Sequence, residues 1–341
     1  MIGLRGTSLA ADEREWLASP LIGGVILFSR NFSSREQIES LVRDIHGVRE
    51  PSLLVTVDQE GGRVQRLPAP FTSLPAARQF GHAYDENPKA GIELARSSAW
   101  LMAAELRAVG IDMSFVPVVD VDRGLSEVIG DRALHEDPEV VSRLAIAISE
   151  GLEQAGMTPT AKHFPTHAGS RSDSHTHVAK DPRDYPALID DLEPYRQLIA
   201  HGLHSVMVGH VVFPALDPRP ASFSSWWIET QLRGELRFTG AVISDDMSMV
   251  GASIVGDLEQ RVGLALDAGC DIVLLCNLDA EIPALLKAFK GYVDPAAQLR
   301  LMRLRGRDGT PWEELQTSTR WRKVRRAVDE LQAPPKLELK G

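Results

Sequence analysis

Eight short apolar runs, with helical stretches between most of them, limit the fold of this chain more than any other feature. Most of the runs are continuous rather than alternating in polarity, which is typical of parallel strands buried on both faces. Repeated units of helix and strand, with eight strands in all, predict an α/β fold that is a single (β/α)₈ barrel of the TIM type. The runs lie at residues 2–4, 24–28, 53–57, 113–119, 158–162, 205–208, 241–244 and 272–276.

The stretches between the runs carry signals for the start and end of helices. Asp137 and the proline after it predict an N-cap and a first-turn proline. Apolar residues then recur at every fourth position from Val140 to Leu152, and Gly156 predicts the end of the helix. Asp257 opens another helix in the same way.

We expect one barrel domain over residues 1–330 and a flexible C-terminal tail over residues 331–341. A chain of 341 residues could also form two average domains, but barrels of this type routinely exceed the usual domain size. Residues 281–330 are predicted to be helices that close the barrel. A doubly wound open sheet is the alternative fold, although no Gly-x-Gly-x-x-Gly motif follows the first strand.

Charge and composition exclude several classes of partner. The net charge is −10 and no basic stripe runs along the chain, which argues against a nucleic-acid partner. The first residues lack the features of a signal peptide, and no run approaches the roughly 20 apolar residues of a membrane span. Cys270 and Cys276 flank a predicted strand that holds them roughly 20 Å apart, so both are expected to be core thiols. We therefore expect a cytoplasmic protein with no membrane partner.

Charged residues recur where the predicted strands end, which is where barrel enzymes place their active sites. The densest segment, residues 162–175, holds Lys162, three imidazoles and a carboxylate within 14 positions. Burying so many polar groups without partners is costly, so an open, chemically active loop is the better interpretation. The strand-end residues are Asp58, Glu60, Asp120, Asp122, Lys162, His163, His210, Asp245 and Asp246.

Carboxylates surrounded by cations and imidazoles suit the hydrolysis of glycosides, in which one group attacks or stabilises the anomeric centre and another moves the proton. A sugar also needs many charged hydrogen-bonding partners. Such partners could be Asp58, Arg66, Arg132, Lys162 and His163.

Two other functions remain open at this point. A sugar-binding protein without catalysis would keep these ligands but lose the nucleophile or the proton-transfer group, and the chain has both Asp245 and His175. A metal-dependent hydrolase on the same barrel is the second alternative, although no His-x-His pair closes a strand. Its zinc ligands would be Asp245 with His163, His167, His175, His177 and His210.

Several motifs occur in order along the chain: GGVILFSRNF at 23–32, DQEGGRVQR at 58–66, FVPVVDV at 115–121, IGDR at 129–132, KHFP at 162–165, DSH at 173–175 and SDDMSM at 244–249. With these motifs the sequence resembles the bacterial β-N-acetylhexosaminidases of glycoside hydrolase family 3, from about residue 13 to about residue 325. That family removes N-acetylglucosamine from muropeptide fragments during peptidoglycan recycling.

The resemblance implies a retaining exo-β-N-acetylglucosaminidase that acts on GlcNAc-anhydro-muropeptides without a metal or any other cofactor, and we expect a monomer. It implies that Asp245 is the nucleophile and that His175 is the general acid/base, oriented by Asp173. A nearby carboxylate fixes the tautomer of an imidazole and stabilises its protonated form. The sugar-binding residues that the resemblance implies are Asp58, Arg66, Arg132, Lys162 and His163.

The chain departs from the family pattern in the segment that follows Lys162. The family usually has glycine where this chain has Thr166 and Ala168. Because glycine tolerates backbone angles that other residues do not, we expect these two residues to stiffen or shift the loop. Asp246 is expected to be a helix cap or a supporting residue, and Glu60 is the reserve acid/base if His175 does not serve.

Overall fold

A computed structural model of the chain describes residues 1–171, 177–307 and 309–332. Within these ranges, eight parallel strands alternate with helices, as the apolar runs predict. We number the strands in chain order: β1 Ile2–Gly3, β2 Gly24–Leu27, β3 Leu54–Val57, β4 Met113–Ser114, β5 Thr160–Phe164, β6 Ser205–Val208, β7 Ala241–Asp246 and β8 Ile272–Leu274.

The eight strands form two four-stranded parallel sheets, with strand orders β1-β2-β3-β4 and β8-β7-β6-β5. Single parallel bridges join the edges of the two sheets. Ile2 of β1 pairs with Leu275 just after β8, and Val118 beyond β4 pairs with Lys162 of β5. Among the described residues the ladders do not continue across these junctions, so the strands do not make one closed sheet. The predicted α/β architecture with parallel strands is confirmed, and its closure into a barrel stays a prediction.

Alternate residues of a strand belong to two different apolar clusters. In β2, Val25 and Leu27 pack into a large cluster that also contains helix residues, whereas Ile26 packs into a smaller one. In β7, Val242 belongs to the large cluster and Ile243 to the smaller one. Both faces of the strands are therefore buried, as their continuous apolar sequence predicts. The smaller cluster takes residues from both sheets, among them Leu54, Met113, Met207 and Leu274.

The predicted helix signals are confirmed at the helix starts and exits. The side chain of Asp137 accepts a hydrogen bond from the backbone N–H of Glu139, and that of Asp257 accepts one from Gln260. Gly156 has a φ of 82° just after the first of these helices, where the left-handed region favours glycine. The α-helices are Ala11–Leu17, Arg35–His46, Arg78–Glu86, Pro88–Ala108, Pro138–Gln154, Tyr185–Ala200, Val250–Ser253, Leu258–Asp267, Ile282–Ala288, Pro295–Met302, Trp312–Thr317 and Thr319–Gln332, and Trp226–Glu235 is a π-helix.

The remaining sequence-based expectations concern the cysteines, the C-terminal region and the membrane. Cys270 and Cys276 are free and buried, as predicted. The last helix ends at Gln332, and residues 333–341 lie outside the described residues, so the C-terminal tail stays a prediction. No helix in the described ranges is both long and apolar enough to cross a membrane.

Candidate active site

The carboxyl ends of the strands surround a cleft of about 490 Å³. Its charged residues come from β5, from the end of β7 and from the segments after β3 and β4. The apolar residues named below lie in or just after β2, β6, β7 and β8. All five predicted sugar-binding residues line the cleft, together with the predicted nucleophile Asp245. The lining includes Asp58, Glu60, Arg63, Arg66, Arg132, Lys162, His163, Asp245, Asp246 and Asn277 on the polar side, and Ile26, Phe28, Met207, Met249, Leu274 and Cys276 on the apolar side.

A tight hairpin directly after β3 places Glu60 and Arg66 at the cleft. The hairpin pairs Gln59–Gly61 with Val64–Gln65. Gly61 and Gly62 at its turn have φ values of 105° and 54°, which favour glycine. The buried side chain of Gln59 closes the hairpin, because its oxygen accepts the backbone N–H of Arg66 over 3.0 Å. The hairpin sequence thus determines the backbone positions from which the side chains of Glu60 and Arg66 reach the cleft.

Glu60 is the centre of a buried ionic network. Nitrogens Nε and Nη2 of Arg132 each donate to one of its carboxylate oxygens over 2.8 Å. Lys162 Nζ lies 2.7 Å from Glu60 Oε1 and 2.9 Å from Asp58 Oδ1. The side chains of Lys162 and Glu60 are only 3% and 6% exposed, so each charge depends on its partners for the solvation that water no longer supplies.

The network also fixes the protonation states of its members. Burial alone would raise the pKa of Glu60, but Lys162 and Arg132 hold it well below its ordinary value of 4.5. Burial alone would lower the pKa of Lys162, but Asp58 and Glu60 raise it above its ordinary value. Glu60 is therefore ionised at neutral pH and has no proton to give, which argues against the reserve role of general acid considered for it.

His163 is held by a buried carboxylate, that of Asp120. Asp120 Oδ2 accepts from Nδ1 of His163 over 2.8 Å, and Oδ1 accepts from the backbone N–H of His167 over 2.6 Å. Burial would raise the pKa of Asp120, but His163 and the neighbouring donors lower it, so the carboxyl is ionised. Since Nδ1 donates to Asp120, Nε2 of His163 is left as an acceptor, and it lies 3.4 Å from Nη2 of Arg132.

Arg66 reaches the cleft without a carboxylate partner among the described residues. Its guanidinium carbon lies 5.7 Å from the centroid of the Phe28 ring. Its Nε is buried and has no hydrogen-bond partner in this part of the chain. Leaving a buried donor unpaired costs about 1–3 kcal/mol, so the Nε position is suited to a hydroxyl group of a ligand.

Asp245 and Asp246 end β7 but are held differently. Asp246 Oδ1 accepts from the backbone N–H groups of Ser248 and Cys276, over 3.0 and 3.1 Å, and its other oxygen accepts from the Ser248 hydroxyl. Asp245 lines the cleft, and its Oδ1 accepts the backbone N–H of Asp246 over 2.9 Å. Asp246 thus stabilises the turn after β7, which agrees with the supporting role predicted for it.

His210, which follows β6, contacts the backbone at the end of β7. It is fully buried, and Nε2 donates to the backbone carbonyl of Asp246 over 3.0 Å. Burial lowers the pKa of His210, so the ring is neutral and Nδ1 accepts from the Ser222 hydroxyl over 2.6 Å. Its ring also stacks on Phe223, with centroids 5.5 Å apart. His210 is therefore a support for the strand end that carries Asp245.

The predicted general acid/base, His175, and its partner Asp173 lie outside the described residues, so their roles stay predictions. The described start of their loop is tightly packed. Thr166 and Ala168 are both 1% exposed, and the backbone N–H of Ala168 donates to the Thr166 hydroxyl over 3.1 Å. Glycine at position 166 could not accept this bond, which supports the expectation that Thr166 stiffens the base of the loop.

The zinc-ligand set considered from the sequence does not assemble in the described ranges. No group of three or more His, Cys, Asp or Glu side chains there is arranged to hold a metal ion. His163 pairs with Asp120, and both ring nitrogens of His210 are engaged by Ser222 and Asp246. His175 belongs to the same set and lies outside the described residues.

Asp120 and His210 are among the strand-end residues named from the sequence, which gave neither of them a part in glycoside hydrolysis. The structure shows that both are supporting residues, Asp120 for His163 and His210 for the end of β7. Asp122 follows the same strand as Asp120 but accepts the backbone N–H of Gly124 in a local turn and does not line the cleft. The position of a residue just after a strand therefore predicts that it lies near the site. It does not predict whether the side chain lines the cleft.

Comparison with known proteins places this chain among glycoside hydrolases. Residues 2–301 match the family model described as the glycosyl hydrolase family 3 N terminal domain. A β-hexosaminidase of Thioalkalivibrio sulfidiphilus is 49% identical over 339 residues, which cover 99% of this chain and 98% of that protein. A β-hexosaminidase of Alkalilimnicola ehrlichii is 47% identical over 341 residues, with coverage of 99% and 98%.

A solved structure agrees with these relatives over almost the whole chain. It is NagZ from Neisseria gonorrhoeae in complex with N-trifluoroacetyl-D-glucosamine. Its TM-score is 0.92 at 37% sequence identity, and the match covers 98% of this chain and 97% of that chain.

The Glu60 network predicts a specific dependence of stability on pH. Since the folded-state pKa of Glu60 lies below 4.5, the ionised carboxylate stabilises the fold above about pH 4.5, and this contribution is lost as the pH falls further. Glu60→Gln should lower the free energy of unfolding at pH 7 by about 3–5 kcal/mol, because it leaves buried cations short of a partner. Urea unfolding at pH 7 and at pH 3 measures both effects.

The difference between the wild-type chain and Glu60→Gln should shrink between these two pH values. Glu127→Gln, on the exposed loop whose backbone carbonyls Arg63 holds, is the matched control and should change little at either pH. An equal difference at pH 7 and pH 3 would show that Glu60 is not ionised in the folded chain.

Proposed function

The chain belongs to glycosyl hydrolase family 3, among the bacterial β-hexosaminidases of that family, and from this premise we propose that it is a retaining exo-β-N-acetylglucosaminidase. It removes a terminal non-reducing N-acetylglucosamine by double displacement through a glycosyl-enzyme intermediate. One observation carries the proposal: the Asp245 carboxylate shares a cleft with the paired cations Lys162 and Arg132 and with the unpaired donor of Arg66.

The charged residues of the cleft bind the hydroxyl groups of the sugar. Arg66 Nε donates to one hydroxyl, which removes the cost of leaving it unpaired. Asp58, whose side chain is 19% exposed, uses Oδ1 for Lys162 and keeps Oδ2 for a sugar hydroxyl. Both Glu60 oxygens are bound by cations, so Glu60 acts by orienting Arg132 and Lys162. His163 presents Nε2 beside them as an acceptor.

Asp245 is the nucleophile in this proposal. Its carboxylate attacks the anomeric carbon, an ester bond forms, and the bond from that carbon to the leaving-group oxygen breaks. Water then attacks the same carbon and breaks the ester, so the sugar leaves with its original anomeric configuration. Asp246 and His210 hold the strand end in place during both steps.

His175, oriented by Asp173, moves the proton in both steps. It protonates the leaving oxygen in the first step and takes a proton from the attacking water in the second. Two observations on the described carboxylates support this assignment. Glu60 is held ionised by Arg132 and Lys162, and both oxygens of Asp246 already accept hydrogen bonds from neighbouring donors.

We propose further that the two sheets are halves of one (β/α)₈ barrel, and that a single catalytic domain runs to the end of the last helix at Gln332, two residues beyond the predicted boundary at 330, with a tail over residues 333–341. The parallel bridges Ile2–Leu275 and Val118–Lys162 support the first statement, because they join both pairs of sheet edges. The apolar cluster that takes residues from both sheets supports it too, since such a cluster fills the interior of a barrel.

The proposed natural substrates are GlcNAc-anhydro-muropeptides, hydrolysed by a cytoplasmic monomer during peptidoglycan recycling. The Neisseria structure, which holds an N-acylated glucosamine, supports recognition of this sugar at the non-reducing end. The net charge of −10 gives no support to a nucleic-acid partner. No metal and no other cofactor has a part in the proposed reaction.

The first test is the choice of sugar. A chromogenic N-acetyl-β-glucosaminide should be hydrolysed at least about 10²-fold more efficiently than the matching β-glucoside, because the proposal makes N-acetylglucosamine the sugar that the site selects. EDTA should leave the rate unchanged. Preference for the glucoside would contradict the proposed substrate, and a rate lost in EDTA and restored by zinc would favour the metal-dependent alternative.

The second test separates the two carboxylates at the end of β7. Asp245→Ala should lower turnover by about 10⁴-fold or more, as loss of a nucleophile does in other covalent enzymes. Asp246→Ala removes only supporting hydrogen bonds, of about 1 kcal/mol each, and should keep a substantial part of the activity. Trapping with a 5-fluoro glycosyl probe, followed by peptide mapping, should find the label on Asp245. A label on Asp246 or Glu60 would refute the assignment.

The third test concerns the proton. His175→Ala should slow a substrate with a sugar aglycone by about 10²–10⁴-fold more than one with a nitrophenol aglycone, because only the poor leaving group needs a proton. Asp173→Asn should show the same pattern more weakly, since the imidazole remains in place. Equal losses on both substrates would show that His175 binds or packs without transferring the proton.

A further inference from the structure

A second cavity lies at the opposite end of the strands from the proposed active site. It has a volume of about 330 Å³, and its lining includes Thr158, His204, Arg303, Arg305 and Arg307. Thr158 and His204 precede β5 and β6, whereas the cleft residues Lys162 and Met207 lie further along these strands. The proposed hydrolysis uses none of the residues of this second cavity.

The three arginines of this cavity carry charges that no carboxylate of the described chain neutralises by an ion pair. Arg305 donates to the hydroxyl and the backbone carbonyl of Ser52, and Arg307 donates to the backbone carbonyl of Glu153. All of these acceptors are neutral. Arg303 is exposed, and its side chain makes no hydrogen bond within the described ranges. Such a concentration of positive charge stands out in a chain whose net charge is −10.

His204 and Glu153 also line the cavity. Nδ1 of His204 is buried and has no hydrogen-bond partner in the described chain. The nearest carboxylate oxygen, Oε1 of Glu153, lies 3.6 Å away, which is beyond a normal hydrogen bond. The lining thus sets three arginines against one carboxylate, which leaves an excess of positive charge.

From this arrangement we propose that the cavity is a binding site for a phosphate group, either as the free anion or as a phosphomonoester. A guanidinium presents a planar fork of N–H donors that fits two oxygens of a phosphate, and three arginines line this cavity. The cavity is large enough for a phosphate group with a small substituent. Its location at the other end of the strands makes binding there independent of the proposed hydrolase activity.

Titration calorimetry on the full chain tests this proposal, with inorganic phosphate and glycerol 3-phosphate as probes and sodium chloride keeping the ionic strength constant. The wild-type chain should bind at least one of the two probes saturably, at one site per chain. Arg303→Gln with Arg307→Gln should weaken that binding at least tenfold, because two of the charge-assisted donors are lost. Hydrolysis of the chromogenic substrate should stay unchanged in this variant.

A charge-matched control is Arg14→Gln with Arg326→Gln, which removes two exposed arginines from the first and last helices. This control should bind phosphate as the wild type does. Arg303→Gln alone keeps the test decisive if the double variant does not fold, since the exposed Arg303 side chain makes no hydrogen bond or ion pair within the described ranges. The proposal is overturned if neither probe binds saturably, if Arg303→Gln binds as tightly as the wild type, or if the control loses as much affinity as the double variant.

Discussion

The paired charges of Glu60, Lys162, Arg132 and Asp58 are the interaction on which the proposed site depends. Taking an ammonium group and a carboxylate out of water costs several kcal/mol for each ion, and only well-aligned partners offset this cost. Arg132 binds both oxygens of Glu60, and Lys162 bridges Glu60 to Asp58. The two cations and two carboxylates sum to no net charge, which is the condition for holding such a network near the core.

This network also joins three parts of the chain that are distant in sequence. Glu60 belongs to the hairpin after β3, Arg132 to a short 3₁₀ turn at Gly130–Arg132, and Lys162 to β5. Loss of Glu60 leaves Arg132 without its carboxylate, and loss of either cation removes one of the two that Glu60 binds, so the charged side of the cleft behaves as one unit. His163 connects this network to Asp120. Its Nε2 lies beside Arg132, and its Nδ1 donates a hydrogen bond to Asp120.

The sequence predicts the strands well because burial on both faces leaves a continuous apolar run, and each of the eight runs overlaps one of the parallel strands of the structure. It locates the cleft for a similar reason, since the carboxyl ends of parallel strands meet at one edge. The orientation of individual side chains is a different matter. Asp120, Asp122 and His210 all follow apolar runs, yet Asp120 supports His163, Asp122 closes a local turn, and His210 lies under Asp246. Such differences depend on turns and packing after the strand, which periodicity does not encode.

The protonation states could not be predicted from the sequence either, because they depend on distances between residues far apart in the chain. Glu60 shows this most clearly. A carboxylic acid beside an open cleft could serve as a proton donor, but two cations within hydrogen-bond distance keep it ionised. His210 shows the opposite case. Burial keeps its ring neutral, and its Nε2–H donates a hydrogen bond to a backbone carbonyl.

Thr166 and Ala168, the positions where the resemblance to the family implies glycine, lie in a tightly packed segment after β5. Asp120 binds the backbone N–H of His167, and Thr166 accepts the backbone N–H of Ala168. The next residue, Gly169, is equally confined, because a Cβ there would lie 2.1 Å from Oδ2 of Asp181. Thr166 and Ala168 thus contribute to the packing of this segment, and neither lines the cleft. We therefore expect a change at either position to act through the anchoring of the segment and not through contact with a bound sugar.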